Sequence, residues 1–146
     1  MFKRILLGSD GSEPALHAAR VAAELAASHG ADLTVVHVFE PPTSPIPLVG
    51  APGIEFDDAA LSAFANEVRE AVERRTAHVL AELGVACQVR QETGHPAESL
   101  VRIAESEGYD LIVVGSRGRS AISSFLLGSV SDKVSHHAHC PVLIVR

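Results

Sequence analysis

Gly115, Gly118, Gly128 and Ser129 are the residues whose types and spacing could do chemistry together: glycine, two residues, glycine, nine residues, glycine, serine, within GSRGRSAISSFLLGSV. They follow the apolar run Leu111-Ile112-Val113-Val114, which reads as a buried parallel strand. Glycines at a strand end leave main-chain N–H groups open to a phosphate oxygen with no Cβ in the way. Ser129-Val130-Ser131-Asp132-Lys133-Val134 then reads as a helix, whose N-terminus adds free donors and the positive end of a dipole. The chemistry implied is anion binding. Turn-making alone is the competing reading, and it accounts less well for three glycines and a serine in this order.

Apolar runs of strand length alternate with helical patterns along the whole chain, and these elements must position the glycines. Lys3 to Ser9 is the first expected strand, followed by a helix capped by Ser12 and ending at Gly30. Leu33 to Phe39 is the second. Residues 40–56 hold Pro41, Pro42, Pro45, Pro47 and Pro52, which rules out a helix there and predicts a long surface loop that could serve as a lid. Asp57 and Asp58 favour the start of a helix running to Gly84. Val85 to Glu92 is the third strand, Pro96 to Glu107 a helix, Tyr109 to Val114 the fourth strand, Ser129 to His137 a helix and Pro141 to Val145 the last strand. Five strands in βαβαβαβαβ order predict a single-domain, doubly wound, open parallel α/β sheet over residues 1–146, of order 3-2-1-4-5 with helices on both faces. Ligands of such sheets bind beyond the carboxyl ends of the strands where the order reverses. That crevice would be flanked by Gly8-Ser9-Asp10 and by the glycine segment, so two independent readings converge.

A formal charge of −6 opposes nucleic acid and anionic membranes as partners, so a phosphate would have to be held locally. Arg117 and Arg119 are cations beside the expected phosphates. No stretch approaches a membrane span, and MFKRILLGSDGS lacks a signal-peptide pattern, from which a cytoplasmic location is expected. Cys87 and Cys140 form no C-x-x-C pair and read as packing residues or free thiols. His136, His137, His139 and Cys140 fall short of a zinc ligand set and read as a polar helix end. His95, before Pro96, reads as a turn residue.

The opening KRILLGSDGSEPALHAARVAAELA, the strand LTVVHVFEP, the turn Thr93-Gly94-His95-Pro96-Ala97, DLIVVGSRGRS and the close HHAHCPVLIVR together resemble the universal stress protein family, in its ATP-binding subclass. The resemblance implies a set of roles. Gly8, Ser9 and Asp10 would pack beside the adenosine, with Asp10 near the ribose hydroxyls or a nucleotide-bound Mg2+ or other divalent ion. Val38 would meet adenine through its backbone. Gly115, Ser116, Arg117, Gly118 and Arg119 would wrap the ribose and phosphates, and Gly128, Ser129, Val130 and Ser131 would hold the triphosphate. It also implies a homodimer through the last strand, as an apolar edge strand invites.

The function so implied is an ATP-dependent regulator of stress or energy state, with an unnamed regulatory partner. Phosphoryl transfer at a useful rate needs charge clamps and a positioned nucleophile, and the chain has no G-x-x-x-x-G-K-[ST] lysine, so binding with at most slow hydrolysis is expected. The alternative is a dimeric interaction module of the same fold that does not depend on nucleotide. A receiver-type phospho-switch lacks its acidic pair and lysine, since Asp10 stands alone and the last strand ends at Arg146. A flavin carrier would want aromatic side chains around its ring, and aromatics are 4% of residues.

Overall fold

The computed structural model describes residues 1–41, 57–85, 87, 89–118 and 127–146. The elements run β1 (Arg4–Gly8), α1 (Glu13–His29), β2 (Asp32–Phe39), α2 (Asp58–Glu82), β3 (Val89–Thr93), α3 (Pro96–Glu107), β4 (Leu111–Gly115), α4 (Ser129–His137) and β5 (Val142–Val145). All pairings are parallel, and the sheet order is β3-β2-β1-β4-β5. This is the expected doubly wound α/β sheet, with the order reversing between β1 and β4.

Period-two alternation of the central strands builds two cores. Ile5, Leu7, Val35, Leu111 and Val113 face α1 and α2, while Leu6, Val36, Ile112 and Val114 face α3 and α4. Ile5, Leu6, Leu7, Ile112 and Val113 are fully buried, each such side chain contributing about 1.5–3 kcal/mol of transfer free energy. The α1 face is made of alanines: Ala18, Ala19 and Ala22 have no exposed surface. Side chains this small let the helix axis lie close to the sheet, and the approach is tightest at β4. A Cβ on Gly115 would stand 2.9 Å from the Pro14 carbonyl carbon and oxygen.

Helix boundaries follow their caps. Ser12 accepts from the Ala15 N–H, Asp57 accepts from the Ala60 N–H at 2.7 Å, and α1 stops at left-handed Gly30. Two strand starts differ from expectation by more than one residue, for one reason. The Val85 N–H donates to the Leu80 carbonyl and the Tyr109 N–H to the Ala104 carbonyl, after Gly84 and Gly108 turn left-handed. Val85 and Tyr109 therefore finish helices rather than begin strands, and β3 and β4 start later, at Val89 and Leu111. Most of the proline-rich segment, residues 42–56, lies outside the described residues, as does Arg119.

Candidate functional site

The turn after β1 is wired residue by residue. The Ser9 N–H donates to the Val36 carbonyl at 3.0 Å, the Ser9 carbonyl lies 3.0 Å from His37 Nδ1, and Ser9 Oγ lies 3.3 Å from both the Gly11 N–H nitrogen and Thr76 Oγ1. Gly11 then takes φ +73°, a conformation side chains disfavour, and sends the chain into α1. Asp10 Oδ1 accepts from the Ser12 N–H at 3.0 Å and the Ser12 hydroxyl at 2.5 Å. This Asx-type turn fixes the carboxylate's direction. Its second oxygen, Oδ2, stands 3.0 Å from where a Cβ on Gly118 would be, so Asp10 and Gly118 face each other across the reversal point.

The β4 side is organised around Ser116. Its carbonyl accepts from the Gly128 N–H at 2.7 Å and from the Ser131 hydroxyl at 3.1 Å, and the Ser131 hydroxyl is also 3.0 Å from the Gly128 carbonyl. These bonds lash the start of α4 to the end of β4. Gly128 is bare because a Cβ there would meet Arg117 Cα and the Ser116 carbonyl oxygen at 3.1 Å. It occupies the N-cap position of α4 and has no side chain to satisfy the first turn, and the first intrahelical bond runs from the Asp132 N–H to the Gly128 carbonyl. The N–H groups at the head of α4 therefore point outward with the positive end of the helix dipole.

Between these two constructions lies a cleft of about 580 Å³ at the carboxyl ends of β1, β2 and β4. Its walls include Gly8, Ser9, Asp10, Val38, Gly115, Arg117, Gly118, Gly128, Ser129, Val130 and Ser131. Ser116 lies just beneath, buried, with its carbonyl engaged as described. Of the residues singled out from sequence, only Arg119 is not placed.

Further lining residues had not been singled out as site residues: Val36 on β2, Glu40 just after it, and Pro96 and Leu100 in the first turns of α3. A signal for the first and last existed, since Val36 shares a strand face with Val38 and Leu100 follows Pro96 by one helical turn. Glu40 pairs with His95 across the rim, Oε1 to Nδ1 2.7 Å, both side chains being more than half exposed. Val38 has a geometric distinction. The Val36 carbonyl bonds toward β1 and the Phe39 carbonyl toward the β3 side, at Gly94. By that alternation Val38 turns its N–H and C=O toward β1, yet β1 is paired only as far as Gly8 opposite Val36. The backbone of Val38 thus looks into the cleft.

Asp10 is the acidic side chain at the strand reversal, and the described residues hold no group of three or more His, Cys, Asp or Glu able to ligate a metal by themselves. A divalent ion here would take Asp10 together with oxygens of an anionic ligand, the mode Mg2+ commonly uses. The His136–Cys140 run is dispersed: His136 Nδ1 lies 2.8 Å from the Asp132 carbonyl and His139 Nε2 lies 3.5 Å from Glu105. Burial pushes the thiols of Cys87 and Cys140 up, the latter reinforced by Asp110, so neither is activated as a nucleophile. No described helix is long and apolar enough to cross a membrane.

The model of the Universal stress protein family matches residues 1–146. The chain is similar to a universal stress protein of Thermus aquaticus, 43% identical over 150 residues and covering all of both chains. It is also similar to the universal stress protein YxiE of Bacillus subtilis, 36% identical over 153 residues, again end to end. Among solved structures it resembles the protein MJ0577, with a TM-score of 0.75 and 28% identity over 99% of this chain and 96% of that one. A universal stress protein in complex with cAMP gives a TM-score of 0.73 and 26% identity over 99% and 97%.

Proposed function

The chain belongs to the universal stress protein family, and on that premise we propose that it binds an adenine nucleotide, ATP first among them, in the cleft between β1, β2 and β4. The observation that carries the reading is the cleft's polarity. The β4 side offers Arg117, bare Gly118 and the uncapped head of α4; the β2 side carries Val36 and Val38 with Glu40 at its rim, and Leu100 lies over Gly8 between them. A ligand with an anionic tail and a flat apolar head matches both sides, and the volume lies within the range of about 300–1,000 Å³ usual for small-molecule sites. The complex of a related universal stress protein with cAMP supports an adenine-containing head.

In this reading adenine rests on Val38, whose outward N–H and C=O read its edge, and Asp10 faces the ribose or a divalent ion carried by the phosphates. The triphosphate lies along Gly118, Arg117 and the N–H groups of Ser129 and Val130. The hydroxyl of Ser131 already donates to backbone carbonyls, so its contribution is to hold α4 in place. Gly115, packed on Pro14, shapes the cleft wall. Among the described residues no lysine lines the cleft, which favours a regulator governed by occupancy, with at most slow hydrolysis. The same proposal includes a cytoplasmic homodimer joined through β5, which is an edge strand of the sheet.

Calorimetric titration tests the reading. Wild type should bind ATP, and Gly118→Val should weaken binding at least tenfold, because its side chain enters the space between Asp10 and the phosphates. Equal affinity in the two proteins, or a preference of wild type for GTP over ATP, would refute it. Light scattering of wild type at micromolar concentration should return twice the mass of one chain, and a Leu143→Lys change on β5 should lower it.

A further inference from the structure

We propose that occupancy of the cleft is transmitted to α2 through a buried contact between the hydroxyls of Ser9 and Thr76. The inference rests on the nucleotide reading above and adds to it a route and a responding element.

Thr76 is polar yet has no exposed surface, and Ser9 is 4% exposed. A hydroxyl buried to that degree costs free energy unless it is hydrogen-bonded. The two Oγ atoms meet at 3.3 Å across 67 residues of chain, in the layer between α2 and the sheet. The polar groups of Ser9 reach three different places: its N–H and carbonyl bond β2, at Val36 and His37, and its hydroxyl reaches Thr76 on α2 and the Gly11 N–H in its own turn. Asp10, next in sequence, faces the cleft. Ser9 therefore cannot shift with a ligand at Asp10 without loading α2.

The same stretch of α2 lies beside the β1–α1 connection at two further places, Gly11 and the first residue of α1. The position a Cβ would take on Gly11 is 3.3 Å from Val72 Cγ2, and Arg75 reaches Glu13 at 2.7 Å. The second is an exposed ion pair and contributes little by itself. Val72, Thr76, Val79 and Leu80 are the buried residues of this 25-residue helix. An element held by so few side chains opens locally at modest cost, and ordering its central anchor raises that cost.

Hydrogen exchange along α2 is the test, with wild type, Thr76→Val, Thr76→Ala and Thr76→Ser, each with and without ATP at a concentration that calorimetry shows to be saturating. In wild type, exchange of residues 72–80 should slow severalfold on ATP addition. The valine and alanine variants should bind ATP within about threefold of wild type and lose that slowing, whereas Thr76→Ser, which keeps the hydroxyl, should retain it. Wild type that binds ATP with α2 unresponsive would overturn the relay and leave the nucleotide reading standing. Equal slowing in the valine or alanine variant would also overturn the hydroxyl route. Absence of ATP binding by wild type would sink both. A wild type whose α2 does not respond to bound ATP overturns the relay even if a variant fails to fold.

Discussion

The two ends of one parallel sheet are built to opposite purposes. At the amino ends of β1 and β4, polar groups close on one another: the Asp110 carboxylate accepts the N–H groups of Lys3 and Arg4 at 2.8 and 3.0 Å, and the Phe2 N–H donates to His29 Nδ1. Arg4 stacks on Tyr109 at 4.6 Å and donates to the Glu107 carbonyl. At the carboxyl ends the same strands finish in Gly8 and Gly115, and of the helices that follow them α1 is capped by Ser12 whereas α4 has no side-chain cap. Main-chain donors saturated at one end are left facing a cleft at the other. The difference teaches that the parallel α/β arrangement supplies a binding crevice only where side chains are withheld from it.

Breaking the glycine end should give the largest effects, and they should separate by position. Gly115→Val forces a side chain against the Pro14 main chain, which cannot swing aside as a flexible side chain could. Chemical denaturation should show a loss of about 2–3 kcal/mol, with nucleotide affinity falling as well because α1 carries the Asp10 turn with it. Gly118 is exposed and a Cβ there meets only Asp10 Oδ2. Gly118→Val should therefore leave the denaturation midpoint nearly unchanged while weakening ATP at least tenfold, equivalent to about 1.4 kcal/mol. If both variants lost stability equally, the glycines would share one packing role and the cleft would lose its functional distinction. A valine at Gly128 is less informative, since it presses on the backbone of Ser116 and Arg117 and mixes the two effects.

These contrasts mark what could be read from residues alone. The strand order and both cores were legible because apolar runs with no polar interruption demand helices on each face, and caps such as Ser12 and Asp57 announce themselves by type. The glycines were legible as a group and illegible individually. Sequence marks them all as bare, whereas Gly115 answers to Pro14, Gly118 to Asp10 and Gly128 to Ser116, partners brought close only by the crossovers. Val38 carries no side-chain signature at all. Its orientation follows from β1 stopping before β2 does, a register property that no local pattern encodes. The link from Ser9 to Thr76 was hidden for the same reason, since threonine inside a helical pattern reads as an ordinary surface residue until the helix is docked.

The closed end of the sheet yields the smallest effect and the one with a pH signature. Burial works against the charged form of Asp110, but the N–H groups of Lys3 and Arg4, its own N–H and the N-terminal charge prevail and hold its carboxyl below the ordinary range. A carboxyl lowered by folding stabilises the native state at every pH above its unfolded value, near 3.9, and that contribution disappears as pH falls through the folded value. Asp110→Asn replaces one acceptor oxygen by a donor facing the N–H groups. At pH 7 it should cost about 1 kcal/mol, modest because the site is near solvent. The gap between wild type and variant should hold steady from neutral pH to about pH 5 and then narrow in stronger acid, as wild type loses what the variant never had. ATP affinity should not change, since the carboxylate sits at the far end of the strands from the cleft. A gap that widened in acid would mean that Asp110 is held in its protonated form, and a loss of ATP affinity would mean that the two ends of the sheet are coupled.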